Sequence, residues 1–483
     1  NTAQSPKGFT PPAIGVDGVG FNEERYHRLI AEWSLQQVNG ALPQLYDPWL
    51  TEELYRMAAS MNGLVRSQAL VAVPLINDNR INAFAVSGGL IAINTGVITA
   101  SKSVDETASV IAHEIAHLSL KHHERSQEGA GKALAVQLGG LLAALAASAV
   151  SGDAAAAVML GSQTAAAETT ASHSRAHERE ADRVGMQLLV QAGYDPRGMA
   201  RFFETLQRQK ALNQSQNAFV PSFIQTHPFT LDRLSDAHSM AGRYPIKSGS
   251  LASAERFEAM QWRIKYLSKT VNEEDLKKAA VHSTGAKLAY VAYLSDKGQT
   301  ATAKTLFSTL TPTDEPLYCI TKAHIAYEMQ DYDTAISALN ICHMLYPERR
   351  DLRLYLADSL LQAGNVSAAR TLLILLTQAR EADILAWDLL EKSYEKESQQ
   401  SADPATPFLD AYALYARSQK QLWRGRYDAA VQSLTQALTV LESQKSSPTH
   451  SQKHSLIHQA AHLTEKLNKQ LSRVRAYQDF HPK

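Results

Sequence analysis

The sequence predicts a mainly α-helical chain in two parts, an α+β domain with a small β-sheet followed by an α-solenoid of paired helices. Three observations lead to this. Apolar residues recur at helical spacing over most of the 483 residues. A short β-branched, apolar stretch bounded by turn residues lies between about residues 70 and 94. Helix-turn-helix patterns with small residues recur in the second half at about 34 positions apart. The length suffices for two or three domains with real cores. The expected division is a flexible segment over 1–20, a first domain over 21–250, and a repeat domain over 251–483 closed by a capping helix.

Lysine plus arginine (48) equals aspartate plus glutamate (48), and no basic run stands out, so nothing points to nucleic acid. The first residue is Asn1, and residues 1–20 are polar, rich in proline and glycine, and without an apolar signal core. That fits a mature chain whose targeting segment, a signal peptide, has been removed, or a trimmed one. Two cysteines, Cys319 and Cys342, are too few for a disulfide scaffold.

Asn22 to Asn39 reads as an amphipathic helix, with Tyr26, Leu29, Ile30 and Trp33 on one face. Asp47-Pro48 opens a second helix to about Gly63, with the aspartate at the cap and the proline in the first turn. Leu70 to Ile76 reads as a strand and Asn77-Asp78-Asn79 as a turn. Phe84–Val86 and Leu90–Asn94 form a hairpin around Ser87-Gly88-Gly89. A helix over Ser103–Glu128 has Asp105 and Glu106 in its first turn and Val110, Ile111, Ile115, Leu118 and Leu120 on its inner surface. Ala133 to Val150 is almost wholly apolar and barely long enough to span a bilayer. Its alanines, Gln137 and two glycines favour instead two helices, with Ala154–Leu160, that pack partly on the domain and can touch a membrane surface or a membrane-embedded partner. Glu178 to Gly193 is a helix ended by Gly193-Tyr194-Asp195-Pro196, and Pro196 to Lys210 starts the next. Leu212 to Ser222 is polar and irregular, and a further helix begins near Thr230.

The chemistry sits in His113-Glu114-Ile115-Ala116-His117, an H-E-x-x-H motif. Four-residue spacing puts His113 and His117 on one helical face, one turn apart. Two neutral imidazoles there can bind one Zn²⁺, and Glu114 can take a proton from the attacking water and pass it on. The motif also arises by chance on surface helices, so a third ligand has to exist downstream. Glu178 supplies it in principle, leaving one position for water or substrate. Asp182, one turn on, can accept the other ring N–H of a ligand histidine, His113 first, and fix its tautomer. The plain alternative is a charged helix held by i,i+4 pairs. It leaves Glu178 and Asp182 as like charges one turn apart, which needs a cation or metal nearby. His122 and His123 read as charges at a helix C-terminus rather than ligands.

His227 precedes Pro228 and is therefore extended. It could enter as a fourth ligand that displaces the water, or merely cap or pack its turn. Arg233 could stabilise a developing oxyanion or pair with a ligand carboxylate. The hairpin edge Asn82, Ala83, Phe84, Ala85 and Val86 could pair with an extended peptide through backbone hydrogen bonds, or be ordinary core.

His113-Glu114-x-x-His117 followed by Glu178-x-x-x-Asp182, with Ile81 to Gly96 as an edge-strand hairpin, resembles the metallopeptidase family of HtpX and the CAAX prenyl protease. The resemblance implies a zincin-type α+β metallopeptidase domain holding one Zn²⁺ per chain, and it favours the substrate-edge reading. With a helical-repeat tail the chain resembles the family's soluble periplasmic branch, the β-barrel assembly-enhancing proteases. That branch implies an inhibitory role for His227 and a periplasmic place, soluble or peripheral to the outer membrane. It also implies two kinds of partner, the outer-membrane β-barrel assembly machinery and unfolded, stalled or misfolded barrel proteins.

In the second half, Ala326 to Ile336 and Pro347 match a tetratricopeptide turn and its closing proline. Related turns are Lys297-Gly298-Gln299, Ala363-Gly364-Asn365 and Arg424-Gly425-Arg426, with Ala303, Ala335, Ala369 and Ala430 following them. About four repeats result, one irregular around Trp387, and a terminal helix over Gln452–Ala476 caps the stack. Such a stack offers a concave surface for a protein segment, or serves only to hold the peptidase. Cys319 and Cys342 fall on facing helices of one repeat and could bridge in an oxidising compartment, or stay as buried thiols. The resulting expectation is a zinc endopeptidase with a docking array. The competing classes are a chaperone-like binding module with a latent or structural metal, and a membrane-embedded prenyl-peptide protease, which the lack of several long apolar spans disfavours.

Overall fold

A computed structural model describes residues 21–65, 69–120, 167–215, 223, 227–400, 406–445 and 453–480. Two compact units result, Asn1–Ser34 with Glu53–Phe257, and Leu35–Glu52 with Glu258–Lys483.

The first unit begins with α1 (Phe21–Ala41), whose later part belongs to the second unit, and α2 (Pro48–Asn62), whose first residues do so too. Strands β1 (Leu75–Ile76), β2 (Ala83–Val86) and β3 (Leu90–Asn94) form one sheet in the order β1-β3-β2. β1 runs parallel to β3 and β2 antiparallel to it, with Phe84 opposite Ala92 and Ala85 opposite Ile91. The strand expected over 70–76 shrinks to Leu75–Ile76 plus an isolated bridge between Ala72 and Leu90. Pro74 explains this: it has no N–H for the ladder and contributes only its carbonyl, which accepts from Ile93 at 3.1 Å. The β2–β3 turn requires its glycines. Gly88 and Gly89 have φ of +98° and +102°, and a Cβ on either would come within 2.0 Å of the His27 carbonyl oxygen or 2.4 Å of that of Ala69.

Helix α3 (Thr95–Ala100) follows β3 directly. The sequence does not signal it, because Thr-Gly-Val-Ile-Thr favours a strand and burial of Thr95 to Ile98 overrides that preference. α4 (Val104–Ser119) carries the H-E-x-x-H motif, with Asp105 and Glu106 in its first turn. Residues 121–128 of the expected helix, His122, His123 and the apolar stretch over 133–160 lie outside the described residues. Among the described residues no helix is long and apolar enough to cross a membrane. α5 (Ala167–Ala192), α6 (Arg197–Ser215) and α7 (Leu231–Ala241) complete the unit. α6 continues past Lys210 into the stretch expected to be irregular, since polar composition does not oppose helix. Thr230 caps α7, its hydroxyl accepting from the Arg233 N–H at 3.3 Å.

The second unit is helical throughout. It holds the rest of α8 (Leu251–Leu267), then α9 (Glu273–Ala279), α10 (Thr284–Asp296), α11 (Thr300–Phe307), α12 (Pro316–Glu328), α13 (Tyr332–Leu345), α14 (Arg350–Gln362) and α15 (Val366–Ala379). It ends with α16 (Ile384–Gln400), α17 (Thr406–Trp423), α18 (Tyr427–Lys445) and α19 (Lys453–Gln478). Four helical pairs appear, α10–α11, α12–α13, α14–α15 and α17–α18, with α16 as the odd helix where the repeat pattern breaks around Trp387. Ala303, Ala335, Ala369 and Ala430 are each fully buried, so the helices of each pair approach over a methyl group. Cys319 on α12 and Cys342 on α13 are joined as a disulfide, with Cα atoms 6.4 Å apart.

Each pair turns through one left-handed residue, Gly298 (φ 72°), Gln330 (60°), Gly364 (87°) and Gly425 (66°). Gln330 is the exception to glycine, and its Cβ is strained there. Gln330→Gly is therefore expected to stabilise the chain by about 0.5–1 kcal/mol, the gain being trimmed by the freer unfolded state. Urea unfolding checks this, and a loss of stability would contradict it.

Candidate metal centre

The centre forms where α4 lies against α5. A Cβ on Gly185 would stand 3.2 Å from the backbone nitrogen of His113. The bare glycine lets the two helices close in, and Glu178 and Asp182 then face the imidazoles across the gap. His113, Glu114, His117, Glu178, Asp182, His227 and Arg233 are all buried.

His113 Nε2 lies 3.0 Å from His117 Nε2 and 3.2 Å from Glu178 Oε2. His117 Nε2 is 3.3 Å from Glu178 Oε1. His227 Nδ1 adds contacts of 3.3 Å to His113 Nε2 and 3.2 Å to Glu178 Oε1. The donor atoms of these four residues all lie within 4.8 Å of one another. In a tetrahedral site with bonds of roughly 2.0–2.1 Å, neighbouring donors stand about 3.3–3.4 Å apart. With Glu178 Oε1 as its donor, four of the separations, 3.0–3.3 Å, are close to that geometry. Two imidazole nitrogens and a carboxylate at these separations cannot all be satisfied by shared protons, so the residues fit a bound cation.

The charges agree. With the histidines neutral, as metal ligands have to be, Glu114, Glu178 and Asp182 bring three carboxylates and Arg233 one guanidinium, a balance of minus two that a divalent ion would cancel and that a proton on His113 offsets in part without one. Burial disfavours charge on His113, yet Asp182 and Glu178 more than offset this and raise its pKa to about 10. Burial and then the neighbouring His113 hold His117 well below the usual imidazole range. Burial would raise Glu178, but the surrounding histidines, His227 foremost, hold it well below the usual carboxylate range.

Asp182 Oδ1 is 3.0 Å from His113 Nδ1, an oblique approach that falls short of hydrogen-bond alignment. Arg233 grips Asp182 with Nε (2.7 Å) and a terminal nitrogen (2.8 Å), and reaches Glu178 at 3.0 Å. Of the two roles open to it in sequence, its geometry here is that of a carboxylate partner. The Ala85 N–H donates to Glu114, whose Oε1 is 3.3 Å from His227 Nε2. Glu114 thus stands between the imidazole of His227 and the β2 edge.

Backbone parity sorts the edge residues. Ile91 and Ile93 donate towards Ala72 and Pro74, and Asn94 donates to Asn82, so the even residues 82, 84 and 86 of the β2 strand face β3. Ile81, Ala83 and Ala85 turn their N–H and C=O groups away from β3, where Glu114 accepts from the Ala85 N–H and the Ile81 carbonyl accepts from Phe223. Of the five edge residues named from sequence, Ala83 and Ala85 present backbone there, joined by Ile81. Sequence reasoning missed Gly185 and Phe223, and it placed Ile81 in the hairpin without counting it among the edge residues. The only signal for Phe223 is an aromatic four residues before the His-Pro pair.

An H-E-x-x-H helix crossed by a second helix bearing a glutamate, beside a small sheet with an open edge, defines a metallopeptidase. The comparisons agree. Residues 44–241 match the profile described as Peptidase family M48, and residues 326–392 match Tetratricopeptide repeat. The chain is similar to the Beta-barrel assembly-enhancing protease of Yersinia pestis, at 26% identity covering 88% of this chain and 87% of that one. It is similar to the protein of the same name from Escherichia coli (strain K12), at 26% identity over 84% and 87%. A Putative beta-barrel assembly-enhancing protease of Vibrio cholerae is 34% identical over 42% of this chain and 41% of its own.

Proposed function

We propose that the chain is a zinc endopeptidase of the periplasm, with its peptidase domain over about 21–250 and its repeat domain over 251–483, that removes misfolded or stalled outer-membrane β-barrel proteins and assists their assembly. The observation that supports it most is the set of four donors with Glu114 lying between them and an open strand edge. Nitrogen and oxygen donors in tetrahedral array favour zinc. The relatives are named for proteolysis and for enhancing β-barrel assembly, which supports barrel proteins and their assembly machinery as partners, with the repeat array as the surface that docks them.

His113, His117 and Glu178 would hold the ion, which when bound would supply Lewis-acid chemistry to the peptide carbonyl and to water. Glu114 accepts the proton of the attacking water and returns it to the leaving amine. Asp182 and Arg233 keep His113 and Glu178 oriented. The open edge of β2 orders an extended client. His227, whose Nδ1 lies 3.3 Å from His113 Nε2 and 3.2 Å from Glu178 Oε1, would complete the donor set at rest, so that the enzyme would be latent until that imidazole withdraws.

Reduced casein tests this with wild type and His227→Ala, each assayed for zinc. Wild type should cleave slowly and His227→Ala on the order of tenfold faster, since the competent fraction rises. A chelator should stop both. A zinc-loaded His227→Ala chain without cleavage would overturn the reading.

A further inference from the structure

A second group of metal-type donors lies within the helical unit, on α10 and α12, the first helices of two consecutive pairs. His324 and Glu328 are four apart on α12, so an imidazole and a carboxylate share one face, a turn apart. Asp296 is the last residue of α10. His324 Nε2 lies 2.8 Å from Asp296 Oδ1 and 3.7 Å from Glu328 Oε1, and the donor atoms of all three lie within 4.8 Å of one another. The two separations bracket the about 3.3–3.4 Å between neighbouring nitrogen and oxygen donors of a tetrahedral site.

Two observations set this trio apart from a plain surface ion pair. Tyr266 on α8 donates its phenolic hydrogen to Asp296 Oδ2, while Oδ1 faces the imidazole. Tyr266 is itself packed edge-on against Tyr293, centroids 6.3 Å apart. A partner that fixes one oxygen of a carboxylate and leaves the other free is a common support of metal ligands. The charge is also unmatched. Elsewhere in the repeats carboxylates meet arginine or lysine: Asp351 pairs with Arg349, Asp383 with Arg350 and Asp388 with Lys420. Among the described residues, Asp296 and Glu328 have no such ion pair and share one imidazole. The neighbouring Lys297 ammonium lies over the Tyr293 ring instead, 5.7 Å from its centroid. With the imidazole neutral, the trio carries two negative charges, which a divalent ion cancels.

We propose that Asp296, His324 and Glu328 bind a zinc ion of their own, structural rather than catalytic, that ties α10 to α12 and fixes one helical pair of the array against the next. An imidazole among carboxylates suits zinc, whereas calcium and magnesium take all-oxygen sets. The side chains are 25–45% exposed, so water completes the site and the ion exchanges. The inference does not depend on the peptidase reading.

The test uses the full chain, stripped of metal and equilibrated at a series of buffered free Zn²⁺ concentrations, with bound zinc measured directly. Wild type should take up one equivalent more than His324→Ala. An alanine at the exposed His282 of the same unit should change nothing. Tyr266→Phe should keep the extra equivalent but need about tenfold more free zinc to half-fill it, the usual effect of removing a ligand's outer partner. Zinc should raise the unfolding temperature of wild type more than that of His324→Ala. Circular dichroism confirms folding, and Asp296→Asn replaces His324→Ala should that chain not fold. Equal zinc content in wild type and both folded variants would overturn the proposal and leave the trio as an ion pair only. Displacement of the extra equivalent by an equal concentration of Ca²⁺ would overturn the zinc assignment. Because the readout is the difference between chains, the outcome stays legible whatever the His113, His117 and Glu178 centre binds.

Discussion

Glu114→Gln is expected to lower peptide cleavage by on the order of 10²–10⁴-fold, the usual contribution of a positioned general base, while metal content stays unchanged. The amide has the shape of the carboxylate, and its oxygen can still accept from the Ala85 N–H. It cannot take a proton from water. Burial pushes the Glu114 carboxyl up, with His227 and His113 opposing, which makes it a better base than an exposed glutamate. Because Glu114 is not among the four clustered donors, the change should spare the ion. Cleavage of casein and metal content are measured on the same preparation. A variant that cuts within tenfold of wild type would remove Glu114 from the reaction, and one that loses its metal would make it a ligand instead.

Local periodicity carried much of the fold. The first helix, the Asp47-Pro48 cap and the Ala303, Ala335, Ala369 spacing are readable because each depends on residues within one or two turns, although the buried face of that helix runs through His27, Ile30, Ala31, Ser34 and Leu35 and leaves Tyr26 exposed. The clustering of the candidate donors was equally readable: H-E-x-x-H fixes one helical face, and Glu178 with Asp182 forms an uneasy like-charge pair unless something positive lies between. What stayed hidden depends on distant parts of the chain. The strand over 70–76 is cut short by Pro74, whose effect depends on which neighbour needs its N–H. α3 is a helix only because its surroundings bury it. Gly185 counts because His113 comes to rest upon it, and Phe223 because Ile81 faces outward. Arg233 had two open roles in sequence, and both carboxylates it holds lie more than fifty positions away.

Asp47 is the other case of distant dependence, and its removal should be the costliest change to stability. Its Oδ1 accepts the Leu50 N–H at 2.9 Å and so caps α2. Its Oδ2 accepts from Arg263 Nε at 2.9 Å and a terminal nitrogen at 2.7 Å. Both side chains are buried, and Tyr355 lies 3.4 Å from the guanidinium. Burial opposes the charge on Arg263, and Asp47 more than offsets it. In Asp47→Ala the cap is lost, at about 1 kcal/mol, and a guanidinium is left buried without its anion, at about 3–5 kcal/mol. The combined loss of about 4–6 kcal/mol is a large part of a typical total of about 5–15, so the unit containing both residues should unfold at much lower urea. The penalty comes from the stranded charge rather than from any great net worth of the pair, because desolvation offsets most of the attraction. Asp47→Leu combined with Arg263→Met should therefore recover at least half of the loss, leaving mainly the missing cap. Circular dichroism across a urea series compares the three chains. If the double variant were no more stable than Asp47→Ala, the cost would lie in packing or capping, and the buried ion pair would not be the cause.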